Sequence, residues 1–334
     1  MPQINQKILS SKSPLRTGNY VKTKKHFFNS SKMFDAQITD IFDYLWPTIT
    51  ALKNLRWQVN GYYHLSGAKE NVKLTEKFVE EDDVTNRPNL YRICIDEKWE
   101  DQEFNVTKSL LVNLIACYEE WCEMILNELN ISQSQISRKS KDLQFPGTCR
   151  TTITQLCTPQ SGALSVAFHN TYATANNDSN LAHLENYLWV YRYFKECRNA
   201  LLHSTGTIDA KVAQAYSQIQ LLSANDIDVQ EFPQFFGGTI GDPLQVSLRG
   251  VVGFAQILRK IVSVVDVELI NSSRAENSFA NNIRQNMNCR HYGKANIGCE
   301  IKEARKIAVK HFFLSPVPDL TLYQLLQSKG IIGR

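Results

Sequence analysis

The sequence predicts an all-α fold: a helical bundle preceded by an N-terminal helical segment and followed by a small basic C-terminal appendage. Three observations point that way. Apolar residues recur at three- and four-residue steps through several long stretches, alternation at every second residue is almost absent, and the connecting stretches are polar and carry Gly, Pro, Asn and Ser. With 334 residues, 43% hydrophobic and 21% charged, the chain has enough apolar material to bury a substantial core in one domain or two.

Residues 1–30, "MPQINQKILSSKSPLRTGNYVKTKKHFFNS", show no amphipathic period and read as a flexible basic arm that packs little. Residues 31–104 read as an N-terminal helix and a connector. Ser31 is placed to cap the helix, and Phe34, Ile38, Ile41, Leu45, Ile49, Leu52 and Leu55 carry it to about Asn60, with Pro47 expected to kink or split it. From Gly61 to Glu103 the period fails, and "LYRICI" at 90–95 is expected to form one short strand.

A bundle is expected over residues 105–270. Its first helix, 105–130, has a wide apolar stripe of Leu110, Leu111, Leu114, Ile115, Tyr118, Trp121, Cys122, Ile125 and Leu129. Residues 131–180 are rich in Ser, Gln and Thr, and "YATANNDSN" reads as a loop leading to a cap. Helical period returns over 181–203 and stops before Gly206, the residue type that most often closes a helix. Two further helices are expected over 209–223 and 244–270. Residues 271–334 are expected to be a basic helical appendage, from "IKEARKIAVKHFF" and "LSPVPDLTLYQLLQSKGII".

Several classes of protein are disfavoured. The first 32 residues hold no apolar block of a signal peptide, and the most apolar stretch, "VVGFAQILRKIVSVVDVELI", is interrupted by Arg259 and Lys260, so it reads as a buried helix rather than a membrane span. Eight cysteines without a Cys-x-x-Cys pair suit a reducing cytoplasm. The net charge of +4 is unevenly spread: residues 1–34 carry seven basic residues and no acid, and residues 274–334 carry a net +6, which leaves −9 for residues 35–273. Two basic ends suit a polyanionic partner such as RNA, tRNA among the candidates.

One short stretch carries chemistry, "ECRNALLHSTG" at 196–206. Spacing alone does not single it out, since Arg284 to His291 and Arg305 to His311 repeat the Arg-to-His step. Its context does: Asn199 follows the arginine, "ALL" can pack against a bundle, and His203 falls at a helix end. On a helix Asn199 and His203 share a face with Glu196 one turn back, while Arg198 points about 140° from His203. A site using both groups is easiest to build where two copies of this helix end meet, so homodimerisation becomes part of the expectation.

"RNALLH" at 198–203, after the helix containing "LIACYEEWCEMIL", resembles the HEPN family, the higher-eukaryote and prokaryote nucleotide-binding domain. The resemblance covers about 105–270 and implies a helical bundle that dimerises around a composite, metal-independent ribonuclease site. It implies that Arg198 holds the scissile phosphate, Asn199 orients the site and His203 moves the proton. It also implies a toxin or anti-phage defence effector restrained by an antitoxin or other regulatory protein. Thr205 stands where some HEPN toxins paired with nucleotidyltransferase antitoxins have Tyr.

The residue types suit that chemistry independently. The RNA 2′-hydroxyl is an internal nucleophile, so cleavage needs a base, an acid and cationic support for the phosphate, and leaves 2′,3′-cyclic phosphate and 5′-hydroxyl ends without a metal or cofactor. His titrates near neutrality, and Arg presents paired donors to phosphate oxygens. Glu196 and one of the neighbouring pair Glu119 and Glu120, with Glu119 the choice, are the acids expected to support the site, unless they only form a solvated face. A purely structural alternative has His203 favouring the helix terminus and Arg198 paired with Glu196 or Glu119. At the level of the whole protein, the alternative is a non-catalytic dimerisation scaffold or nucleic-acid-binding subunit.

Other candidates are weaker. Cys289, His291 and Cys299 match no standard zinc spacing. Trp189, Tyr191 and Tyr193 either offer stacking surfaces to bases or, at helical spacing, form core. "FFGGTIGDP" at 235–243 lacks the Lys-Ser/Thr of a phosphate-binding loop and reads as a loop before a helix.

Overall fold

The computed structural model describes residues 25–67, 71–79, 89–176, 181–203, 206–229, 232–285, 287, 292–311 and 313–333. In chain order the helices are α1 (Asn29–Ser66), α2 (Asn71–Phe78), α3 (Trp99–Glu128), α4 (Gln133–Gln144), α5 (Cys149–Leu156), α6 (Gly162–Leu164), α7 (Asn170–Ala175) and α8 (Leu184–His203), then α9 (Ala210–Ile219), α10 (Ala224–Ile227), α11 (Leu248–Leu269), α12 (Ala275–Gln285), α13 (Glu300–Lys310) and α14 (Leu320–Ser328). Among the described residues no strand forms; three isolated bridge pairs, such as Thr207 with Pro243, are the sole β-type contacts. The all-α class stands.

α1, α3, α8 and α11 are the long elements, and they pack on one another. Every residue of the apolar stripe expected on α3 is buried, from Leu110 to Leu129. α8 turns Leu188, Tyr191, Phe194 and Cys197 inward, and α11 meets them with Phe254, Leu258 and Ile261. Phe194 and Phe254 stack with ring centroids 4.4 Å apart. Such pairs add specific geometry to the burial that drives helix association.

The divisions expected along the chain are not divisions in the packing. One hydrophobic core runs from Phe27 and Phe28 to Ile331 and Ile332. The basic arm's last residues, His26, Phe27 and Phe28, are buried, because Phe27 fills a nest of rings from Phe168, Tyr172, Phe279 and Phe313. Residues 1–24 of that arm lie outside the described residues. The C-terminal appendage likewise feeds Phe279, Ile307, Phe313 and Leu326 into the same core. A second, smaller cluster of Val59, Leu74, Leu90 and Cys94 lies under the far end of α1.

Local expectations change in four places. α1 starts at Asn29 instead of being capped by Ser31, whose Oγ accepts a bond from the Trp121 indole instead. Pro47 lies inside α1 without ending it, on the exposed side where an unpaired carbonyl reaches water. "LYRICI" forms no strand: residues 92–96 make a π-helical turn, and the Ile93 carbonyl accepts from the Arg56 guanidinium (2.9 Å) and from the Gln102 amide. Long-range acceptors and donors override the β preference of Ile and Tyr there. In "YATANNDSN", read as a loop, residues 172–175 belong to α7 and Tyr172 is buried, while residues 177–180 lie outside the described residues; the Ser-, Gln- and Thr-rich stretch before it forms α4 and α5, whose apolar positions Ile136, Leu143, Ile153 and Leu156 are buried.

The "FFGGTIGDP" segment is a loop before α11, and its backbone closes on the chain leaving α8. The Ile208 amide donates to the Asp242 carbonyl at 2.9 Å, and the Leu244 amide donates to the Gly206 carbonyl at 2.9 Å. Gly237 is required there, since a Cβ would sit 2.3 Å from the Tyr216 ring.

Candidate functional site

α3 and α8 lie side by side, with the end of α4 against both. Residues 192, 195, 196, 198 and 199 fall along one edge of α8 because three- and four-residue steps return to the same side of a helix. Their apolar neighbours enter the core, which leaves the polar ends at the solvent margin. The side chains of Arg192, Lys195 and Arg198 are 26%, 16% and 19% exposed.

These side chains form one continuous chain of ion pairs and hydrogen bonds. Glu119, projecting from α3, meets Lys195 at 2.9 Å with one oxygen and Arg198 at 3.3 Å with the other. Arg198 also donates to Asn199 Oδ1 at 3.0 Å. Asn199 donates in turn to Glu196 at 3.4 Å, and Glu196 pairs with Arg192 at 2.5 Å. Lys195 donates to Gln144 Oε1 at 2.6 Å, an oxygen that also accepts from the Tyr191 hydroxyl at 3.3 Å. The Phe145 ring below them is a platform for both cations: Arg192 lies 4.7 Å and Lys195 5.6 Å from its centroid.

Three permanent cations therefore share two carboxylates, and the cluster keeps a surplus positive charge at a partly dry margin. Burial holds the Tyr191 phenol well above its usual pKa, with Glu119 adding to the effect, so it stays a neutral donor. The Arg198 Nε is buried and has no hydrogen-bond partner among the described residues.

The structure thus brings together four of the residues singled out in the sequence: Glu119, Glu196, Arg198 and Asn199. His203 stands apart as the last residue of α8, exposed, about 6 Å further along the axis from Asn199. Its neighbour Leu202 is 43% exposed. The pairing of Arg198 with Glu119 is the one the structural alternative contains. Lys195, Arg192 and Gln144 were missed by sequence reasoning. The i, i+4 spacing of Arg192 and Glu196 is a usable signal; nothing local marks Gln144, which arrives from a stretch rich in Ser, Gln and Thr.

The aromatics before the motif are core. Tyr191 and Tyr193 are 0% and 1% exposed, so their faces are not available to bases, and Trp189 is partly buried against the same core. Cys289 and His291 lie outside the described residues, as does Thr205; Cys299 is exposed. Among the described residues no group of three or more His, Cys, Asp and Glu side chains is arranged to hold a metal ion, and no helix is long and apolar enough to cross a membrane. The chain matches no protein-family model, no curated protein sequence and no solved structure.

Proposed function

We propose that the protein is a metal-independent endoribonuclease of HEPN type, active as a homodimer, in which Arg198 engages the scissile phosphate and His203 moves the proton. The observation that supports it is a surplus-positive cluster holding Arg198 and Asn199 at the solvent margin, one helical turn from an exposed His203. A phosphate arriving there meets an arginine already held in place and competes with Glu119 for it, which favours a dianionic, pentacoordinate phosphate over a monoanionic ground state. A second copy would bring its His203 against the first copy's Arg198, covering Leu202 in the process. Restraint by a regulatory or antitoxin protein belongs to the same proposal.

One observation favours a second reading, a non-catalytic nucleic-acid-binding scaffold. Within one chain the Arg198 guanidinium bonds to Glu119 and Asn199, and among the described residues no hydrogen bond or ion pair joins His203 to either. One experiment separates the two: pure protein with labelled tRNA and mRNA in excess chelator. The nuclease reading expects fragments with 2′,3′-cyclic phosphate and 5′-hydroxyl ends, and intact DNA in parallel. Salt-sensitive binding without cleavage establishes the scaffold, and cleavage that stops with the chelator overturns the metal-free mechanism.

A further inference from the structure

We propose that α13, with the segments on either side of it, is a docking surface for an anionic lipid bilayer, a peripheral contact rather than a span. It does not depend on the ribonuclease reading, since its residues are separate from the Arg198 cluster.

The sequence of α13 sorts its side chains onto two faces. Ala304, Ile307 and Ala308 are buried in the core, which fixes the direction of the opposite face. That face consists of three pairs about one turn apart, Ile301 with Lys302, Arg305 with Lys306 and Val309 with Lys310, and all six residues are exposed. Every one of the six is a long cation or an aliphatic side chain. The acids of the helix, Glu300 and Glu303, lie off that arc, and Glu303 approaches Lys306 only to 3.7 Å.

The aliphatic part extends beyond the helix. Among the described residues fourteen large apolar residues are exposed, and five of them fall within residues 297–320: Ile297, Ile301, Val309, Val317 and Leu320. Exposed apolar residues scattered singly are ordinary, whereas five gathered beside four cations form a patch. Ile297 is 99% exposed in the loop that enters α13. On the other side, Arg305 Nε donates to Ser315 Oγ at 2.6 Å, which ties the segment carrying Val317 and Leu320 back to the helix.

This composition selects among polyanions. RNA is held by cations together with amide, hydroxyl and aromatic groups that reach sugars and bases, and the outward positions of α13 carry none of these. An aliphatic side chain gains nothing against a phosphate backbone, but between lipid headgroups it leaves water. A bilayer with anionic lipid takes both kinds of group at once, the cations at the headgroup phosphates and the aliphatics at the acyl boundary. Being fluid, it also closes around a residue as prominent as Ile297, for which a rigid partner would need a matching pocket.

Flotation of the full-length protein with vesicles of phosphatidylcholine, with and without about 30% phosphatidylglycerol, tests this. Binding to the anionic vesicles is expected, about tenfold or more weaker to the neutral ones, and reduced by salt. Lys302→Glu combined with Lys306→Glu is expected to weaken it about thirtyfold or more, and Lys302→Glu alone, about fivefold, serves should the double variant fold poorly. Ile297→Asn, at a fully exposed loop position, is expected to weaken vesicle binding severalfold and to leave the binding of single-stranded RNA unchanged. The proposal is overturned by absence of binding to anionic vesicles, by equal binding to neutral ones, or by vesicle binding that either the charge reversal or Ile297→Asn leaves intact. Equal losses of RNA and vesicle binding in Ile297→Asn would also overturn it, and would make the face a nucleic-acid surface instead.

Discussion

At the start of α1, Asp266 and Glu128 receive backbone amides in a row: Phe27 (2.7 Å) and Phe28 (3.2 Å) donate to Asp266, Asn29 and Ser30 to Glu128. At the edge of α8, Glu119 and Glu196 instead face the side-chain cations of Arg192, Lys195 and Arg198. Both regions are carboxylates holding long helices, yet they have opposite consequences. Fixed amides saturate a carboxylate and make it a cap supplied from elsewhere in the chain, in a helix whose own first turn carries no acid. Side-chain cations leave a carboxylate exchangeable, because a phosphate can take its place. Burial does not follow that division: Asp266 is fully buried and Glu196 is 4% exposed, whereas Glu128 is half-buried and the Glu119 side chain is 32% exposed, so the kind of donor rather than the depth separates the two regions.

Four expected outcomes test that contrast. The largest is His203→Ala, which should lower RNA cleavage by about 10²–10⁴-fold with an unchanged urea midpoint, since the side chain is exposed. Parallel loss of activity and stability would place His203 with the structural carboxylates instead. Next is Asp266→Asn, which turns an amide donor toward the Phe27 or Phe28 N–H and should cost about 2–4 kcal/mol in urea unfolding, with activity per folded molecule unaltered.

Glu119→Gln should cost only about 0.5–1 kcal/mol, as befits a partly exposed ion pair, and should tighten RNA binding severalfold with a steeper salt slope. Weaker RNA binding would show that Glu119 organises Arg198 rather than competing for it. The smallest effect concerns pH. Burial raises the Asp266 carboxyl above its ordinary value of 3.8, against the pull of His26, Ser31 and the two amides. The folded state then holds that proton more tightly than the unfolded chain, so the group's contribution is greatest below 3.8 and falls as pH rises through the folded value. The stability margin of the native protein over Asp266→Asn should therefore be larger at about pH 4 than at about pH 7 in parallel denaturant titrations.

How much was legible in the sequence differs between these same regions. The α3 stripe and the α8 period were read directly, because a single amphipathic helix states its buried face through spacing. The polar edge of α8 was half visible: Glu196, Arg198 and Asn199 stood out, and Glu119 was named as the acid from the neighbouring helix. Gln144 is not visible, since the short helix α4 has too few apolar positions to display a period. The burial of Phe27 and Phe28 was hidden by the basic residues before them, which gave the whole segment the composition of a tail. The strand expected at 90–95 failed because β-branched preference says nothing about where Arg56, 37 residues upstream of Ile93, will deliver its donors.

The sequence by itself determined the class of the fold and the positions of its four long helices, since hydrophobic periodicity and local breakers are encoded over a few turns. Only the tertiary structure decided which carboxylate caps α1 and which pairs with Arg198, and that among the described residues His203 has no bond to that network. Those are meetings between residues separated by 79 positions in the case of Glu119 and Arg198, and by 239 for Phe27 and Asp266. No local period records such meetings, because they are set by how the apolar faces of distant helices come to share one core.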